Sequence, residues 1–340
     1  MLPGTLHAGT VNTMLNGLET PSGPAGRIVV VGSLNADLTI YCERLPLPGE
    51  TVHGGAFSVN PGGKSANQAV AASLLGGAVS LIGAVGDDPN GAMLTSSTAG
   101  AGVDISRVRT SDTASTGVAV LAVDSLGENT IIISAGANGT LGPADVVAAA
   151  DAFDGAAVVC LCLEVSLGTV VEAARSGHDA GATVLLNLSP YGEVPQELLD
   201  LTDVLLVNAH EASLFLGTAG IPTGAGAADW ERIRQSFAAR GLQQVVVTLG
   251  TGGSVVLDSR AAEGRKVSRI SPVEVRAVDT TGAGDAFTGA LAARLAAGAS
   301  LPDAAVLASA AAALAVTRKG AQAAYPAVED VERLLASGGA

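Results

Sequence analysis

Between residues 143 and 250 the chain alternates nearly unbroken apolar runs with helical segments, and this rhythm restricts the fold more than any other feature. The runs are AVVCLCL (157–163), TVLLNLS (183–189), DVLLVN (203–208) and QVVVTLG (244–250), with helical patterns over 143–150, 167–180, 209–216 and 229–240. A strand that is apolar throughout, without period-two alternation, is covered on both faces. Strands of that kind separated by helices predict a parallel sheet between two helical layers. RIVVVGS (27–33) and VSLIGAVG (79–86) read as further buried strands. Between them, Ala66, Ala69, Val70 and Leu74 recur at helical spacing over 65–76, and Gly76-Gly77 ends the helix. Residues 283–318 read as two helices, the first with Phe287, Leu291 and Leu295 at every fourth position.

Shorter segments interrupt this pattern. LTIYC (38–42) and TVHGGAFSV (51–59) read as ribbon strands, and VAVLAV (118–123) pairs antiparallel with NTIIISA (129–135) across the turn DSLGE. The fold class is therefore α/β, a central and mostly parallel sheet flanked by helices, with a small β-sheet appendage. No repeat or low-complexity linker divides it, so 27–340 reads as one main domain. Residues 1–26 contain no Lys or Arg and no apolar core of a signal peptide, and read as a disordered leader.

Charge restricts the partners. The 340 residues carry a formal net charge of −14 with no basic run, which argues against nucleic acid or an anionic membrane surface. A phosphate ligand would need a local positive field from backbone N–H groups, a helix end, a metal ion or a lysine. No apolar run reaches the roughly 20 residues of a membrane helix. The three cysteines, Cys42, Cys160 and Cys162, form no CxxC pair, and Cys160 and Cys162 alternate within a strand. A reducing cytoplasm is the expected compartment.

Open α/β sheets bind ligands beyond the carboxyl ends of their strands. Asn35, Asp37, Glu164, Asn187, Asn208, Glu211, Thr248, Gly250 and the stretch Asp279 to Asp285 all fall at such ends, which points to one cleft. Two resemblances to nucleotide motifs fail on spacing. PGGKSANQA (61–69) would need a glycine at Ser58 to be a Walker A loop, and Gly282-x-Gly284 meets Phe287 where a dinucleotide fingerprint has its third glycine. His53, His178 and His210 have no partner at zinc-ligand spacing.

AVDTTGAGDAF (277–287) is the most informative stretch. It reads as a strand ending near Val278, a sharp turn at Gly282-Ala283-Gly284, and a helix. The first N–H groups of such a helix bind an anion without side chains. Asp285 in the same turn is either an ordinary helix-start acid or a general base beside the anion. The second role is what phosphoryl transfer to an alcohol needs. Asn35 and Asp37, two apart, can face one side and bind a polyol. Gly62 and Gly63 allow close backbone approach, Lys64 and Asn67 add donors, and Glu164 follows a wholly apolar strand.

Taken together, DTTGAGDAF (279–287), GGKSANQAVAA (62–72), VGSLNADL, PGET (48–51), STGVA (115–119), AGAN (135–138), LLVNAHE (205–211), VTLGTGG (247–253) and AVTRKGAQ (315–322) resemble, in order, the motifs of the ribokinase-like carbohydrate kinase family. The resemblance covers essentially the whole chain after residue 27. It implies a three-layer fold with a β-sheet lid, and ATP-dependent phosphorylation of D-ribose at O5, with 2-deoxyribose, another pentose or a nucleoside as the alternative acceptor. A catalytically silent sugar-binding protein on the same fold is the reading from another class. By resemblance, Asp285 would be the base, and the N–H groups of Gly282, Ala283 and Gly284 the anion hole. Asn35, Asp37, Gly63, Lys64, Asn67 and Glu164 would hold the sugar. Asn208 and Glu211 would serve Mg²⁺ and phosphate positioning; Thr248, Gly250 and Gly253 would line the ATP site, with Ser309 near adenine. Asp279 and Thr281, with backbone carbonyls of Ala315, Arg318 and Gly320 and with Ala324 nearby, would bind an activating K⁺. The ribbon strands over 38–59 and 118–135 would close over the sugar and join a homodimer. Ser65, Ser309, Ala324 and His210 depart from the family pattern, with Ser65 standing where the family has glycine.

Overall fold

Alternate residues of the first strand, β1 (Arg27–Val31), enter two different cores, and the molecule is built outward from that division. Ile28 and Val30 face one helical layer, Val29 and Val31 the other, and all four are at most 1% exposed. The structure is a computed structural model that describes residues 26–337, apart from 127 and 222–223. The expected leader therefore lies outside the described residues except for Gly26, whose N–H donates to the carbonyl of Ala296.

Around β1 lie β4 (Ala78–Gly86), β5 (Asp104–Ser111), β8 (Ala156–Leu161), β9 (Thr183–Asn187), β10 (Val204–Asn208), β11 (Gln244–Thr248), β12 (Ser254–Asp258) and β13 (Val267–Ile270). The order across this nine-stranded sheet is β13-β12-β11-β10-β9-β8-β1-β4-β5. Every pair from β11 to β5 is parallel, and only the β11–β12 and β12–β13 pairs at the far edge are antiparallel. The apolar runs thus became the central strands, as expected. The sequence pattern predicts neither β5 nor the helix before it, α2 (Pro89–Gly100), nor the β12–β13 hairpin. β5 carries Arg107 and Arg109 and is largely half-exposed, while α2 buries only three residues, so neither prints a strong apolar pattern.

One face of the sheet carries α1 (Lys64–Leu74), α8 (Ala283–Ala296) and α9 (Leu301–Ala315). Their contacts are lined by alanines, including Ala66, Ala69, Ala290, Ala308 and Ala311, each 0% exposed. Small side chains let these helices approach closely. At Gly289 a Cβ would sit 2.4 Å from the carbonyl oxygen of Gln68, so the backbones of α8 and α1 meet there. The opposite face is covered by α4 (Leu167–Asp179), α6 (Ala209–Leu216) and α7 (Ala227–Ala238), with Trp230 and Phe237 fully buried.

The second sheet has four strands in the order β3-β2-β6-β7: β2 (Asn35–Cys42), β3 (Gly54–Gly62), β6 (Gly117–Val123) and β7 (Asn129–Ser134). β6 and β7 are antiparallel as expected, while β2 and β6 are parallel. β2 starts at Asn35, three residues before the expected LTIYC run, which puts Asn35 and Asp37 in this sheet and not in a turn. All six residues of the outer strand β7 are exposed, with Ile131, Ile132 and Ile133 at 50%, 67% and 55%. The expected strand ending at Val278 does not form. Residues 271–282 are irregular, and the N–H groups of Val278 and Asp279 donate instead to the carbonyl of Val316 beyond α9. Among the described residues, no helix is long and apolar enough to cross a membrane.

Candidate active site

The carboxyl ends of β9, β10 and β11 and the start of α8 enclose a cavity of about 160 Å³. Its wall includes Lys64, Asn187, Asn208, Glu211, Thr248, Thr280, Gly282, Ala283, Gly284 and Asp285. The turn into α8 is made by Gly282, whose φ of 73° is left-handed. A Cβ there would lie 2.6 Å from the Tyr325 hydroxyl and 2.8 Å from Ala321 Cβ, and Tyr325 Oη donates to the Gly282 carbonyl at 3.2 Å. The N–H of Ala283 donates to Thr280 O at a long 3.3 Å. Among the described residues, the N–H groups of Gly282, Gly284 and Asp285 find no acceptor, so the helix start presents backbone donors to the cavity.

Asp285 is 6% exposed. Asn67 Nδ2 donates to its Oδ2 at 3.0 Å and Gln68 Nε2 to its Oδ1 at 3.1 Å. It is therefore no simple helix cap, since both oxygens are held by another helix. Burial raises its pKa above the ordinary carboxylate value and Glu164 adds to the rise. Lys64 and the two carboxamide donors oppose it without cancelling it. For Lys64, burial alone would favour the neutral amine, but the carboxylates of Asp285 and Glu164 outweigh it and hold the ammonium form above its usual pKa.

On the other side of Lys64 lie the remaining sugar-site candidates. Glu164 Oε2 accepts the Lys64 N–H at 2.9 Å and the Ser33 hydroxyl at 2.6 Å, so it caps α1 directly behind Gly63 (φ 89°). Asn35 Oδ1 accepts from Asn138 Nδ2 at 2.8 Å, and Asn138 also bonds both the N–H and the carbonyl of Leu34. Asn138 lies in the AGAN segment and fixes the orientation of Asn35 from a hundred residues away. The pKa of Asp37 is pushed up to about 7, first by burial and then by Glu164 and Asp285. The carboxylates of Asp285 and Glu164 thus act on both the Lys64 ammonium and the Asp37 carboxyl.

Asn208 and Glu211 form a reciprocal capping box on α6: Asn208 Oδ1 accepts the Glu211 N–H and Glu211 Oε2 accepts the Asn208 N–H, both at 2.8 Å. Asn208→Ala is expected to destabilise the fold by about 1 kcal/mol through loss of this cap, read as a lower thermal midpoint. Thr248 reaches the cavity, but Gly250, Gly253 and Ser309 do not line it. Gly250 and Gly253 shape the turn from β11 to β12, and Ser309 on α9 sits 3.4 Å from Ser254 at the start of β12.

Behind the α8 turn, Asp279 Oδ1 accepts from Thr281 N and Oδ2 from Gly320 N, both at 2.9 Å. Burial works against the ionised form, but these donors hold the carboxyl below its usual pKa. The bond to Gly320 ties the 279–281 loop to the loop after α9 that carries Arg318 and Gly320, close to the end of α9 at Ala315. Ala324 follows in a buried 3₁₀ turn, Gln322–Ala324.

Comparison with known proteins agrees with this geometry. The family described as pfkB family carbohydrate kinase matches residues 25–328, and the chain belongs to that family. Within it, the chain is 36% identical over 312 residues to the ribokinase of Schizosaccharomyces pombe, covering 90% of this chain and 96% of that one. It is 34% identical over 312 residues to the deoxyribokinase of Salmonella typhi, covering 91% and 98%. The structure of Arabidopsis thaliana ribokinase complexed with ribose and ATP superposes with a TM-score of 0.82 at 34% identity, covering 92% of this chain and 99% of that one.

Sequence reasoning named the residues that meet in the cavity but missed several that hold them. Asn138, Gln68, Gln322 and Tyr325 each bond to a site residue. Gln68, Asn138 and Gln322 lie inside the motifs GGKSANQAVAA, AGAN and AVTRKGAQ, but those motifs do not say which partner each side chain meets, and Tyr325 lies outside them.

Proposed function

We propose that the protein transfers the γ-phosphoryl group of ATP to O5 of D-ribose, giving ribose 5-phosphate and ADP. The observation that carries this reading is the buried Asp285 carboxylate, clamped on both oxygens, in the same helical turn as backbone donors that face the cavity. Asp285 takes the proton of the O5 hydroxyl as O5 forms its bond to the γ-phosphorus, and the bond from that phosphorus to the bridging oxygen of ADP breaks. A base whose pKa lies above the usual carboxylate range is a stronger proton acceptor than an ordinary aspartate. The N–H groups of the Gly282–Asp285 turn, with Lys64, stabilise charge on the moving phosphoryl.

Asn35, Asp37, Gly63, Lys64, Asn67 and Glu164 would bind the sugar hydroxyls. Thr248, Gly250, Gly253 and Ser309 would border the nucleotide. Asn208 and Glu211 would serve Mg²⁺, which supplies charge neutralisation on the ATP phosphates. The hard oxygen donors around Asp279 (a carboxylate, the Thr281 hydroxyl and the carbonyls of Ala315, Arg318 and Gly320, near Ala324) suit a monovalent cation such as K⁺. Exposed apolar side chains of the small sheet, among them Phe57, Val120 and Ile131 to Ile133, support a homodimer formed through the lid. Cys42, Cys160 and Cys162 are free thiols, as suits a reducing cytoplasm.

ADP release on a panel of sugars tests the reading. Turnover with ribose is expected, and ribose binding without turnover would sink it. The likeness to a deoxyribokinase keeps 2-deoxyribose as the second acceptor, and the ratio of kcat/KM for the two sugars decides between them.

Asp37 gives a pH prediction. As an ionised acceptor it binds hydroxyls, and its pKa is about 7 in the sugar-free protein. Ribose affinity is expected to rise between pH about 6 and about 8 with proton release on binding, and Asp37→Asn to flatten the profile. The sugar-free protein should also lose stability as pH rises through that range. Its folded state holds the Asp37 proton more tightly than the unfolded chain, whose carboxyl is already ionised there. Calorimetric titration in buffers of different ionisation enthalpy checks the first point and thermal unfolding the second.

A further inference from the structure

Gln68 is explained neither by the sugar contacts nor by the cavity wall. It lies on α1, 1% exposed, at the point where α1 meets the backbone of α8 near Gly289. A carboxamide in such a place is costly unless both ends are bonded, and both are. Its Nε2 donates to Asp285 Oδ1 at 3.1 Å, and its Oε1 accepts the Cys160 thiol at 3.3 Å. Burial pushes the Cys160 thiol well above its usual pKa, so it stays protonated and acts as a donor. With the oxygen of Gln68 engaged by that thiol, only its NH₂ group is left for the carboxylate, which can only accept. Asn67 is oriented in the same way from the other side: Gln322 Nε2 donates to its Oδ1 at 3.1 Å, leaving its NH₂ for Asp285 Oδ2.

We propose that Gln68 is a positioning residue for phosphoryl transfer: oriented by Cys160, it fixes Oδ1 of Asp285 and so aims the carboxylate at the acceptor hydroxyl. This rests on Asp285 acting as the base. Gln68 itself does not line the cavity, so its effect falls on the rate and not on sugar binding.

Gln68→Met keeps the volume and removes the donor. It is expected to lower kcat about tenfold or more while the sugar KM stays within about twofold of wild type. Cys160→Ala is expected to lower kcat less, in the same direction, and Cys160→Ser, which keeps a donor, to recover most of that loss. A readout independent of turnover is the ¹³C carboxyl resonance of Asp285, assigned by its absence in Asp285→Asn. It is expected to titrate at higher pH in Gln68→Met, because a donor to the charged form is gone. The other groups that face Asp285 are Lys64, Asp37, Glu164, Cys160 and Tyr325, and all are retained in that variant.

A folded Gln68→Met with wild-type kcat and wild-type Asp285 titration overturns the proposal, and so does a loss confined to sugar affinity. If Gln68→Met does not fold, the Cys160 pair decides: equal turnover in Cys160→Ala and wild type overturns it. A wild type that phosphorylates no sugar would sink the functional reading and the positioning role with it, whereas an unchanged Asp285 titration and kcat in Gln68→Met beside an active wild type sinks the positioning role alone.

Discussion

Asp285→Asn is expected to reduce turnover by about 10²- to 10⁴-fold, the usual contribution of a general base, with ribose affinity changed far less. The substitution keeps the shape of the side chain but removes its capacity to take a proton. It also places an amide NH₂ against the NH₂ groups of Asn67 and Gln68, both of which donate to the carboxylate in the native protein. One of those donors is then left facing another donor. Part of the loss could come from that mismatch, so the pH profile is the sharper measurement. In wild type the acid limb of kcat at saturating ribose should fall at a pH above the ordinary aspartate range, because burial raises the pKa of Asp285. In Asp285→Asn that limb should vanish from what activity remains. Full turnover in the variant would remove Asp285 from the chemistry and leave the fold assignment intact.

Gly282→Ala is expected to be nearly as damaging, for a reason of backbone geometry. A non-glycine residue at a φ of 73° is strained by about 1–2 kcal/mol, and here the added Cβ also meets atoms on two sides. The Tyr325 hydroxyl lies 2.6 Å from its ideal position and Ala321 Cβ 2.8 Å. Tyr325 also donates to the carbonyl of the same glycine, so the turn cannot move away without breaking that bond. The turn or the 321–325 segment must shift, and the N–H groups at the start of α8 shift with it. A displacement on the order of 1 Å in a phosphoryl-transfer site costs about 10²-fold in rate. The expected result is a fall in kcat of that order, with a lower thermal midpoint and a folded circular dichroism spectrum. Wild-type kcat in Gly282→Ala would show that the turn has no part in holding the transferring group.

The sequence made the sheet legible because strands buried on both faces leave runs that little else in a soluble protein would produce. VVCLCL and VLLVN have no polar face to hide, and their strands fall within two residues of the expected ends. The helix α6 falls at the expected residues, 209–216, and the structure shows it capped by Asn208 at its start and by the left-handed Gly217 at its end. Asn208 and Glu211, which the resemblance implied on the phosphate side, also close the capping box at its start. Pairing at long range was not legible. Asn67 and Asp285 are 218 positions apart, Asn35 and Asn138 are 103 apart, and nothing local announces either bond. The expected strand at Val278 failed for a related reason. The N–H groups of Val278 and Asp279 are claimed by the carbonyl of Val316, which only the folded C-terminal helices bring near.

The outer strand of the small sheet bears on the protein's life before it meets any sugar. β7 offers an unpaired backbone edge flanked by three consecutive isoleucines, and side chains in a strand alternate between faces, so both faces of that edge are adhesive. A two-fold encounter between two such edges closes on itself and leaves nothing further to bind. An encounter with any other extended chain leaves a fresh edge exposed and can be repeated without limit. A two-fold pairing of this kind, as in the homodimer proposed above, would bury Ile131, Ile132 and Ile133, and an unsealed edge would be the place where an open-ended stack starts.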